Sequence, residues 1–184
     1  MFEHAATAPA TRLAALASGL GIRAVERVFR WSPPFVAGRT LSLALRRSGV
    51  RLGKASLFWG LPRLSGSGDV CSRLTIGEHC GFNVGCHFEL AGRITIGDHV
   101  SVGHEVMFLT RVHDTSDGRQ RAGKASAADI EIGDGAWLGA RCTILPGVKI
   151  GAGSVIGASV IVAKDVPANV LLTGNRTVSI AKWR

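Results

Sequence analysis

Residues 132–166 carry an aliphatic side chain at every sixth position. The repeated positions are Ile132, Leu138, Ile144, Ile150, Ile156 and Val162. A spacing of six matches neither the helical period of 3.6 nor the strand period of two. It is the spacing of a chain that turns a corner after every six residues, so that three faces close one triangular coil and the aliphatic side chains point inward. The repeat therefore predicts a solenoid with a filled interior.

A smaller residue follows each aliphatic position four residues later, where the interior is expected to narrow. These residues are Ala136, Cys142, Val148, Ser154, Val160 and Val166. Glycine directly follows four of the aliphatic residues, at positions 133, 139, 151 and 157. We attribute these glycines to corner backbone angles that other residues resist. Together the features predict an all-β chain folded as a left-handed parallel β-helix of hexapeptide repeats.

The six-residue spacing extends upstream with interruptions. It is met at Ile96, Val102 and Phe108, at Ile76, Phe82 and Phe88, and weakly at Phe58, Leu64 and Val70, with Val112 among the accompanying small residues. The register slips by two residues after Phe88, which predicts a bulged corner. It breaks again over residues 113–130, which are polar and predicted to form a loop projecting from the solenoid. Loops on rigid scaffolds often carry binding and catalytic residues.

The segments outside the repeat differ from it in charge. The net charge is +9, and residues 1–54 hold nine basic side chains against two acidic ones. We divide the chain into a basic helical N-terminal segment (1–55), a β-helix domain (56–175) and a C-terminal tail (176–184), for which a helix is one option. Helices are predicted over residues 11–31 and 40–48. They either cap the open end of the solenoid or rest on an anionic membrane surface, and the sequence leaves both open.

The composition disfavours several classes of protein. No run of eighteen apolar residues predicts a transmembrane helix, and the N-terminus lacks the pattern of a signal peptide. A cytoplasmic location is expected, with peripheral contact at the inner face of the cell membrane as an addition. Cys80, Cys86 and Cys142 occupy small-residue positions, and no Cys-x-x-Cys pair suggests a metal site. Too few aromatic residues lie among the basic ones to predict a nucleic-acid interface.

Several short segments carry a resemblance to a known family. They are Phe-Asn at 82–83, Thr-Ile-Gly-Asp-His at 95–99, Val-His-Asp at 112–114, Ile-Gly-Asp-Gly-Ala-Trp-Leu-Gly-Ala at 132–140, Leu-Pro-Gly-Val at 145–148 and Val-Ala-Lys-Asp-Val-Pro at 162–167. In these segments the chain resembles the hexapeptide-repeat acyltransferases, in particular the sugar and polysaccharide O-acetyltransferases. The resemblance covers about residues 70–175. It implies a homotrimer with active sites between subunits, in which an acetyl group moves without a metal from acetyl-CoA to a hydroxyl of a sugar, glycan or lipid-linked glycan precursor.

The resemblance also assigns roles to individual residues. His113 would be the general base, because an alcohol attacks a thioester slowly and histidine, with an ordinary pKa near 6.5, can take its proton as the new bond forms. The backbone N–H of Ala140 would stabilise the developing oxyanion. Asn83 would hydrogen-bond the acceptor, and Trp137 would form a wall beside the thioester.

Coenzyme A would lie in a groove between neighbouring subunits. By the same resemblance, the residues that let its arm approach the backbone would be Gly139, Ala140, Ala158 and Ala163. Lys164 would meet the pantetheine or the phosphates. The family usually ends in Gly-x-Pro-Ala followed by a basic residue, whereas this chain reads Gly-Asn-Arg-Thr-Val at 174–178. The proline is absent, so the phosphate contact would pass to Arg176 or Lys182.

Two other functions are alternatives. His99 and His104 are spaced like two zinc ligands of a γ-type carbonic anhydrase, but no histidine lies at the upstream position required for the third. The second alternative is a catalytically silent β-helix scaffold that uses its trimer and basic segment for binding.

Within the acetyltransferase hypothesis, two details stay open. A covalent acyl intermediate on Cys86 or Cys142 would require a site that favours the thiolate. Asp114 and Glu105 are acids that could orient His113, and the sequence does not choose between them.

Overall fold

The computed structural model describes residues 22–29, 38–174 and 176–179. Within them, the predicted left-handed parallel β-helix is confirmed: short strands form three parallel sheets, which are the faces of a triangular prism. Coils are called lower near the N-terminus and upper near the C-terminus. The first corner joins face 1 to face 2, the second joins face 2 to face 3, and the third leads back to face 1 of the next coil.

The strands of each face pair coil upon coil. Face 1 consists of β1 (Arg51–Leu52), β4 (Leu74–Ile76), β7 (Ile94–Ile96), β12 (Ile130–Ile132) and β15 (Lys149–Ile150). Face 2 consists of β2 (Leu57–Phe58), β5 (Gly81–Phe82), β8 (Ser101–Val102), β13 (Trp137–Leu138), β16 (Val155–Ile156) and β18 (Val170–Thr173). Face 3 consists of β3 (Arg63–Ser65), β6 (His87–Glu89), β9 (Met107–Leu109), β14 (Thr143–Ile144) and β17 (Ile161–Val162).

The inward-facing residues fill the prism as the repeat predicts. In the lower coils, Phe58 stacks on Phe82 with ring centroids 4.4 Å apart, and Phe88 stacks on Phe108 at 4.8 Å. In the upper coils the interior is filled by aliphatic residues such as Ile144, which is fully buried. Burial of this continuous apolar column is the main source of stability in a fold whose strands are only two to four residues long.

The irregularities of the lower coils all fall at the third corner. A single 3-10 turn (Cys71–Arg73) separates β3 from β4, and Val70 is the N-cap of this turn. The prediction that Val70 lies on a strand face is therefore wrong, although its side chain is buried. The predicted two-residue bulge after Phe88 is confirmed, because Leu90 and Ile94 are both buried at the turn between β6 and β7.

The glycines after the aliphatic residues have a different cause from the one expected. Gly133 and Gly139 do not adopt left-handed backbone angles, whereas non-glycine residues such as His99 and Arg141 do. A Cβ atom on Gly133 would lie 2.5 Å from the backbone nitrogen of Ala152 in the next coil. These glycines are therefore required because neighbouring coils approach too closely for a side chain, and not because of their backbone angles.

Two helices cover the lower end of the solenoid. They are α1 (Ile22–Phe29) and α2 (Gly38–Arg47), and α2 lies against β1 and β2. Val25 and Phe29 of α1, with Leu41 and Leu45 of α2, are buried in the same core cluster as the coils. The described apolar stripe thus caps the solenoid. The rest of the helical segment predicted over 11–31 lies outside the described residues.

At the upper end, β18 pairs with β19 (Arg176–Ser179) in antiparallel register. The helical option for the tail is therefore wrong for residues 177–179, while residues 180–184 lie outside the described part. No helix within the described ranges is both long and apolar enough to cross a membrane.

Candidate active site

His113 is carried by a hairpin that projects from the third corner. In this hairpin, β10 (Arg111–His113) pairs antiparallel with β11 (Ala125–Ala127), which places His113 opposite Ala125. The projecting segment predicted over 113–130 thus begins two residues earlier, as a paired strand. Val112, which was expected inside the coil, is 38% exposed on this hairpin. The histidine is exposed as well.

Glu89 fastens the base of the hairpin to the preceding coil. Its Oε2 accepts hydrogen bonds from the backbone N–H groups of Thr110 and Arg111, and its Oε1 accepts one from Nε of Arg111 at 2.8 Å. Burial raises the pKa of Glu89, but these donors outweigh burial, so the pKa is lowered overall. The carboxylate therefore remains charged and holds the hairpin at neutral pH.

A backbone carbonyl orients the imidazole ring of His113. Nδ1 of His113 and the carbonyl oxygen of Gly123 are 3.1 Å apart. A carbonyl oxygen can only accept, so Nδ1 must carry the proton and donate it. In the neutral ring, Nε2 is then the unprotonated nitrogen. This tautomer leaves a free lone pair on an exposed histidine, as a general base requires.

Neither candidate acid contacts the histidine. The carboxylate of Asp114 accepts hydrogen bonds from the N–H and hydroxyl of Ser116, and these lower its pKa. Glu105 pairs with Arg141, whose Nε lies 2.7 Å from its Oε2. The group that orients His113 is therefore the carbonyl of Gly123 and neither of the two acids.

The second corner carries Asn83, Ala140 and, just before it, Trp137. Asn83 directly follows β5, is half-buried, and donates through Nδ2 to the carbonyl of Val102 at 3.3 Å, which leaves its Oδ1 available. The N–H of Ala140 has no acceptor within the described residues. The equivalent amides of other coils, at Val84, His104 and Ala158, are also free of described acceptors. The corner therefore presents a row of available donors, in which Ala140 is not unique.

Trp137 stands on the outer surface of face 2 with 56% of its side chain exposed. Across the second corner, Met107 and Ile161 of face 3 are 38% and 67% exposed. Exposed large apolar side chains on both sides of one edge mark a surface suited to a ligand or a partner.

The remaining residues expected at coenzyme A are spread over three places. A Cβ on Gly139 would lie 2.7 Å from the nitrogen of Ala158, so inter-coil packing already explains this glycine. Ala158 is exposed at the second corner. Ala163 and Lys164 are exposed at the third corner, on the same edge as the hairpin. Arg176 lies on β19 opposite Thr173.

One chain does not bring all of these residues together. His113 and Lys164 belong to the third corner, whereas Asn83, Ala140 and Trp137 belong to the second corner or lie beside it. The two sets are carried by different edges of the prism and are separated by face 3.

The cysteines are unsuited to covalent catalysis. Burial raises the pKa of Cys86 to about 12 and also raises the pKa values of Cys80 and Cys142. The Cys142 thiol contacts the carbonyl oxygens of Gly139 and Gly157. These groups remain thiols at neutral pH and act as small interior side chains.

The histidines spaced like zinc ligands lie apart. His99 is at the first corner, where its ring stacks on that of His79 with centroids 5.0 Å apart, and His104 is at the second corner. Among the described residues, no group of three or more His, Cys, Asp or Glu side chains is arranged to hold a metal ion.

Comparison with known proteins identifies the family. Residues 129–164 match the family profile described as bacterial transferase hexapeptide (six repeats). The putative colanic acid biosynthesis acetyltransferase WcaF of Escherichia coli is 33% identical over 153 residues, which cover 83% of this chain and 80% of that protein. The chain belongs to the hexapeptide-repeat acetyltransferases. For other curated relatives, all named putative acetyltransferases, the match covers 100 residues, and the chain spans about half of their length (48–50%).

Solved structures of hexapeptide-repeat acetyltransferases agree with this fold. One from Vibrio cholerae, in complex with acetyl-CoA, is 27% identical and superposes with a TM-score of 0.61 over 92% of this chain and 82% of that one. A maltose O-acetyltransferase from Clostridium difficile is 25% identical, with a TM-score of 0.67 over 90% of this chain and 85% of that one.

Two residues of the site escaped the sequence analysis. Gly123 acts through its carbonyl group, which every residue type possesses, so no side-chain pattern could indicate it. Glu89 directly follows the inward-facing Phe88. The nearby two-residue slip in the register was the only sign that this corner is unusual.

Proposed function

We propose that the protein is an O-acetyltransferase that moves an acetyl group from acetyl-CoA to a hydroxyl of a carbohydrate, with His113 as general base. The hydrogen bond from Nδ1 of His113 to the Gly123 carbonyl carries this proposal, because it defines the tautomer that a base needs. Membership of the acetyltransferase family supports the reaction class. The acetyl-CoA complex of the Vibrio cholerae relative supports the donor.

The reaction requires a single transfer step through a ternary complex. Nε2 of His113 accepts the hydroxyl proton while the hydroxyl oxygen attacks the thioester carbonyl carbon. The tetrahedral oxyanion receives a hydrogen bond from the N–H of Ala140. Collapse of this intermediate breaks the carbon–sulfur bond, and the imidazolium returns its proton to the departing coenzyme A thiolate. The products are the acetyl ester and free coenzyme A, and the enzyme is regenerated.

A complete site would form between subunits of a homotrimer. The hairpin with His113 and the edge with Ala140 lie at different corners of one prism. We propose that neighbouring prisms pack edge to edge, with the third corner of one subunit against the second corner of the next. Trp137 and Ile161, exposed beside the second corner, would then be covered by the partner and by the coenzyme A arm.

We propose a carbohydrate acceptor, because one relative is named for colanic acid biosynthesis and another is a maltose O-acetyltransferase. A lipid-linked acceptor would be met at a membrane surface. Arg27, Arg39 and Arg47 of the helical cap are exposed and would be attracted to anionic lipid. Co-sedimentation with anionic vesicles at low salt tests this contact, and an unbound protein under those conditions would rule it out.

The central test is acetyl-CoA-dependent release of coenzyme A with a panel of sugars. His113→Ala should lower turnover by about a hundredfold or more while acetyl-CoA binding is retained. His99→Asn is the matched control, because it removes an exposed histidine from another corner and asparagine tolerates the left-handed backbone there (φ 58°). This control should keep full activity.

Unchanged turnover in His113→Ala would reject the general-base assignment. Failure of the wild-type protein to bind acetyl-CoA would reject acetyl-CoA as the donor and favour the alternative of a catalytically silent scaffold.

A further inference from the structure

A cleft separate from the proposed transfer site lies at the third corner of the lower coils. Its volume is about 420 Å³. The residues that matter for its chemistry are Arg51, Arg73, Arg93, Gly92, Ala127 and Asp129. Arg51 projects from β1, Arg73 ends the 3-10 turn, and Arg93 belongs to the bulge. Three successive coils thus contribute one guanidinium group each.

The positive charge of this cleft is not neutralised by the residues around it. None of the three arginines forms an ion pair with a carboxylate in the described part of the chain. Asp129 is the single acid in the lining, and its Oδ1 accepts a hydrogen bond from the backbone N–H of Arg93. Two of the guanidinium groups are anchored by carbonyl groups: Arg51 donates to Ser72 at 2.7 Å and Arg73 to Leu90 at 2.6 Å. Their remaining N–H groups are available to a ligand.

The adjoining part of face 1 carries more acidic side chains. A larger depression there shares Arg93 and Asp129 with the cleft and also contains Glu131, Lys149 and Asp165. Glu131 and Lys149 form an ion pair at 3.0 Å, and Asp165 accepts a hydrogen bond from the Lys149 backbone at 2.8 Å. The lysine of this depression is therefore paired with a carboxylate, whereas the three arginines of the cleft have no such partner among the described residues.

The arginine cleft adjoins the hairpin that carries His113. Ala127, in the cleft lining, belongs to β11, and Ala125 of the same strand lies opposite His113. Two residues of extended strand span roughly 7 Å. A ligand whose charged group occupies the cleft could therefore extend along the hairpin towards the imidazole.

We propose that the arginine cleft binds the phosphate or diphosphate group of an anionic acceptor, whose sugar is then presented to His113. Guanidinium groups match phosphate oxygens with paired hydrogen bonds, and three such groups facing one acid favour a dianion. This inference rests on the proposed acetyl transfer for its sugar, but the phosphate site stands on the cleft alone. The phosphate could belong to a water-soluble nucleotide carrier or to a lipid carrier.

The first test is calorimetric titration of the full-length protein with inorganic pyrophosphate, without acetyl-CoA and at low salt. The double variant Arg51→Gln/Arg93→Gln should bind pyrophosphate at least tenfold more weakly than the wild type. Arg73 is left intact because its bond to Leu90 supports the bulge. Arg63→Gln is the matched control: it removes an exposed arginine from face 3 and should alter affinity less than twofold. Equal affinity in the wild type and the double variant, or no binding to the wild type, would overturn the proposal.

The second test compares kcat/KM for one sugar carried on a soluble diphosphate and on a lipid diphosphate in detergent. The carrier that is turned over identifies the source of the phosphate, and the double variant should lower its kcat/KM about tenfold without changing the KM for acetyl-CoA. Equal turnover of charged and uncharged acceptors by both proteins would overturn the arginine site and leave acetyl transfer intact. Arginine-dependent pyrophosphate binding without turnover of any acceptor would support the site and reject the proposed function instead.

Discussion

The first corner of the prism turns in the same way in every coil, whereas the third corner differs each time the chain passes it. At the first corner one residue per coil adopts left-handed angles, with φ between 56° and 66°; these residues are Ala55, His79, His99, Gly135, Gly153 and Asn169. At the third corner the chain forms a 3-10 turn, then a bulge, then a hairpin, and only above the hairpin a short turn.

The regular first corner serves the stability of the fold, whereas the irregular third corner carries the residues proposed for catalysis and binding. The regular corner sets the spacing between coils and leaves no room for variation, because each turn is pressed against the next. The irregular corner can accept insertions, since its extra residues project away from the core. Both His113 and the arginine cleft lie on the irregular edge. A solenoid of this kind can therefore acquire a site without disturbing the column of buried side chains.

The largest predicted loss of stability comes from adding a side chain at the regular first corner. In Gly133→Ala the new methyl group would lie 2.5 Å from the Ala152 nitrogen and 2.9 Å from its Cα, both backbone atoms of the next coil. The coils must separate, so we expect the free energy of unfolding to fall by about 3 kcal/mol. Urea denaturation measures the loss.

The control for this variant lies two residues away. Gly135 has a φ of 66°, and a Cβ atom added there would have no other atom within 4 Å. Gly135→Asn should cost only about 0.5 kcal/mol, because asparagine tolerates left-handed angles. Equal destabilisation of the two variants would show that the distance between coils does not determine the cost of a side chain at Gly133.

A smaller, catalytic effect is expected at the irregular corner. In Gly123→Ala the added methyl would lie 2.9 Å from the carbonyl oxygen of Asp114, which forces the hairpin strands apart and displaces the carbonyl that orients His113. Turnover should fall about tenfold, with less than about 1 kcal/mol lost in global stability. Gly118→Ala is the control, because its nearest neighbour is the flexible end of Arg121 at 3.5 Å. Full activity in Gly123→Ala would show that the carbonyl does not position the ring.

The regular part of the molecule could be predicted residue by residue from sequence, whereas for the irregular corner only the positions of the bulge and of the projecting segment could be predicted. The inward positions from Ile132 to Val162 follow one spacing, because each coil repeats the geometry of the last. Val70 and Val112 satisfy the same spacing by coincidence, and the structure places neither on a face of the prism. Spacing alone does not distinguish a residue inside a coil from one in an insertion of similar length.

The orientation of the candidate base was beyond sequence reasoning for a related reason. Asp114 was a reasonable partner for His113 because carboxylates commonly orient histidines. Its side chain instead forms a local turn with Ser116, and the nearest carbonyl takes its place. Local hydrogen bonds of aspartate compete with longer-range ones, and only the three-dimensional path of the hairpin decides the outcome. The arginine cleft likewise gathers residues 51, 73 and 93, which are adjacent only after the coils have stacked.

The smallest expected effect concerns the attachment of the hairpin, and it depends on pH. The pKa of Glu89 is lowered in the folded protein from its ordinary value of 4.5. Its carboxylate therefore stabilises the folded hairpin above that value, and this contribution is lost as the pH falls below about 4.5 towards the lowered pKa. Hydrogen exchange of residues 110–127, corrected for intrinsic rates, should show constant protection between pH 7 and about 5 and increasing opening at lower pH.

Glu89→Gln should remove this pH dependence and leave the hairpin more open than in the wild type at neutral pH, with the two proteins converging at low pH, where Glu89 is protonated. Glutamine keeps one acceptor for the amides of Thr110 and Arg111 but loses the charge that faces the Arg111 side chain. We expect about a fivefold increase in opening at pH 7, since a charge-assisted hydrogen bond at a partly exposed site contributes about 1 kcal/mol. Glu105→Gln is the control, because it removes a carboxylate paired with Arg141 at the second corner, away from the hairpin. Both side chains of that pair are more than half exposed, so protection of the hairpin should not change. An equal increase in hydrogen exchange in the two variants would mean that the stability of the hairpin depends on the overall surface charge and not on Glu89.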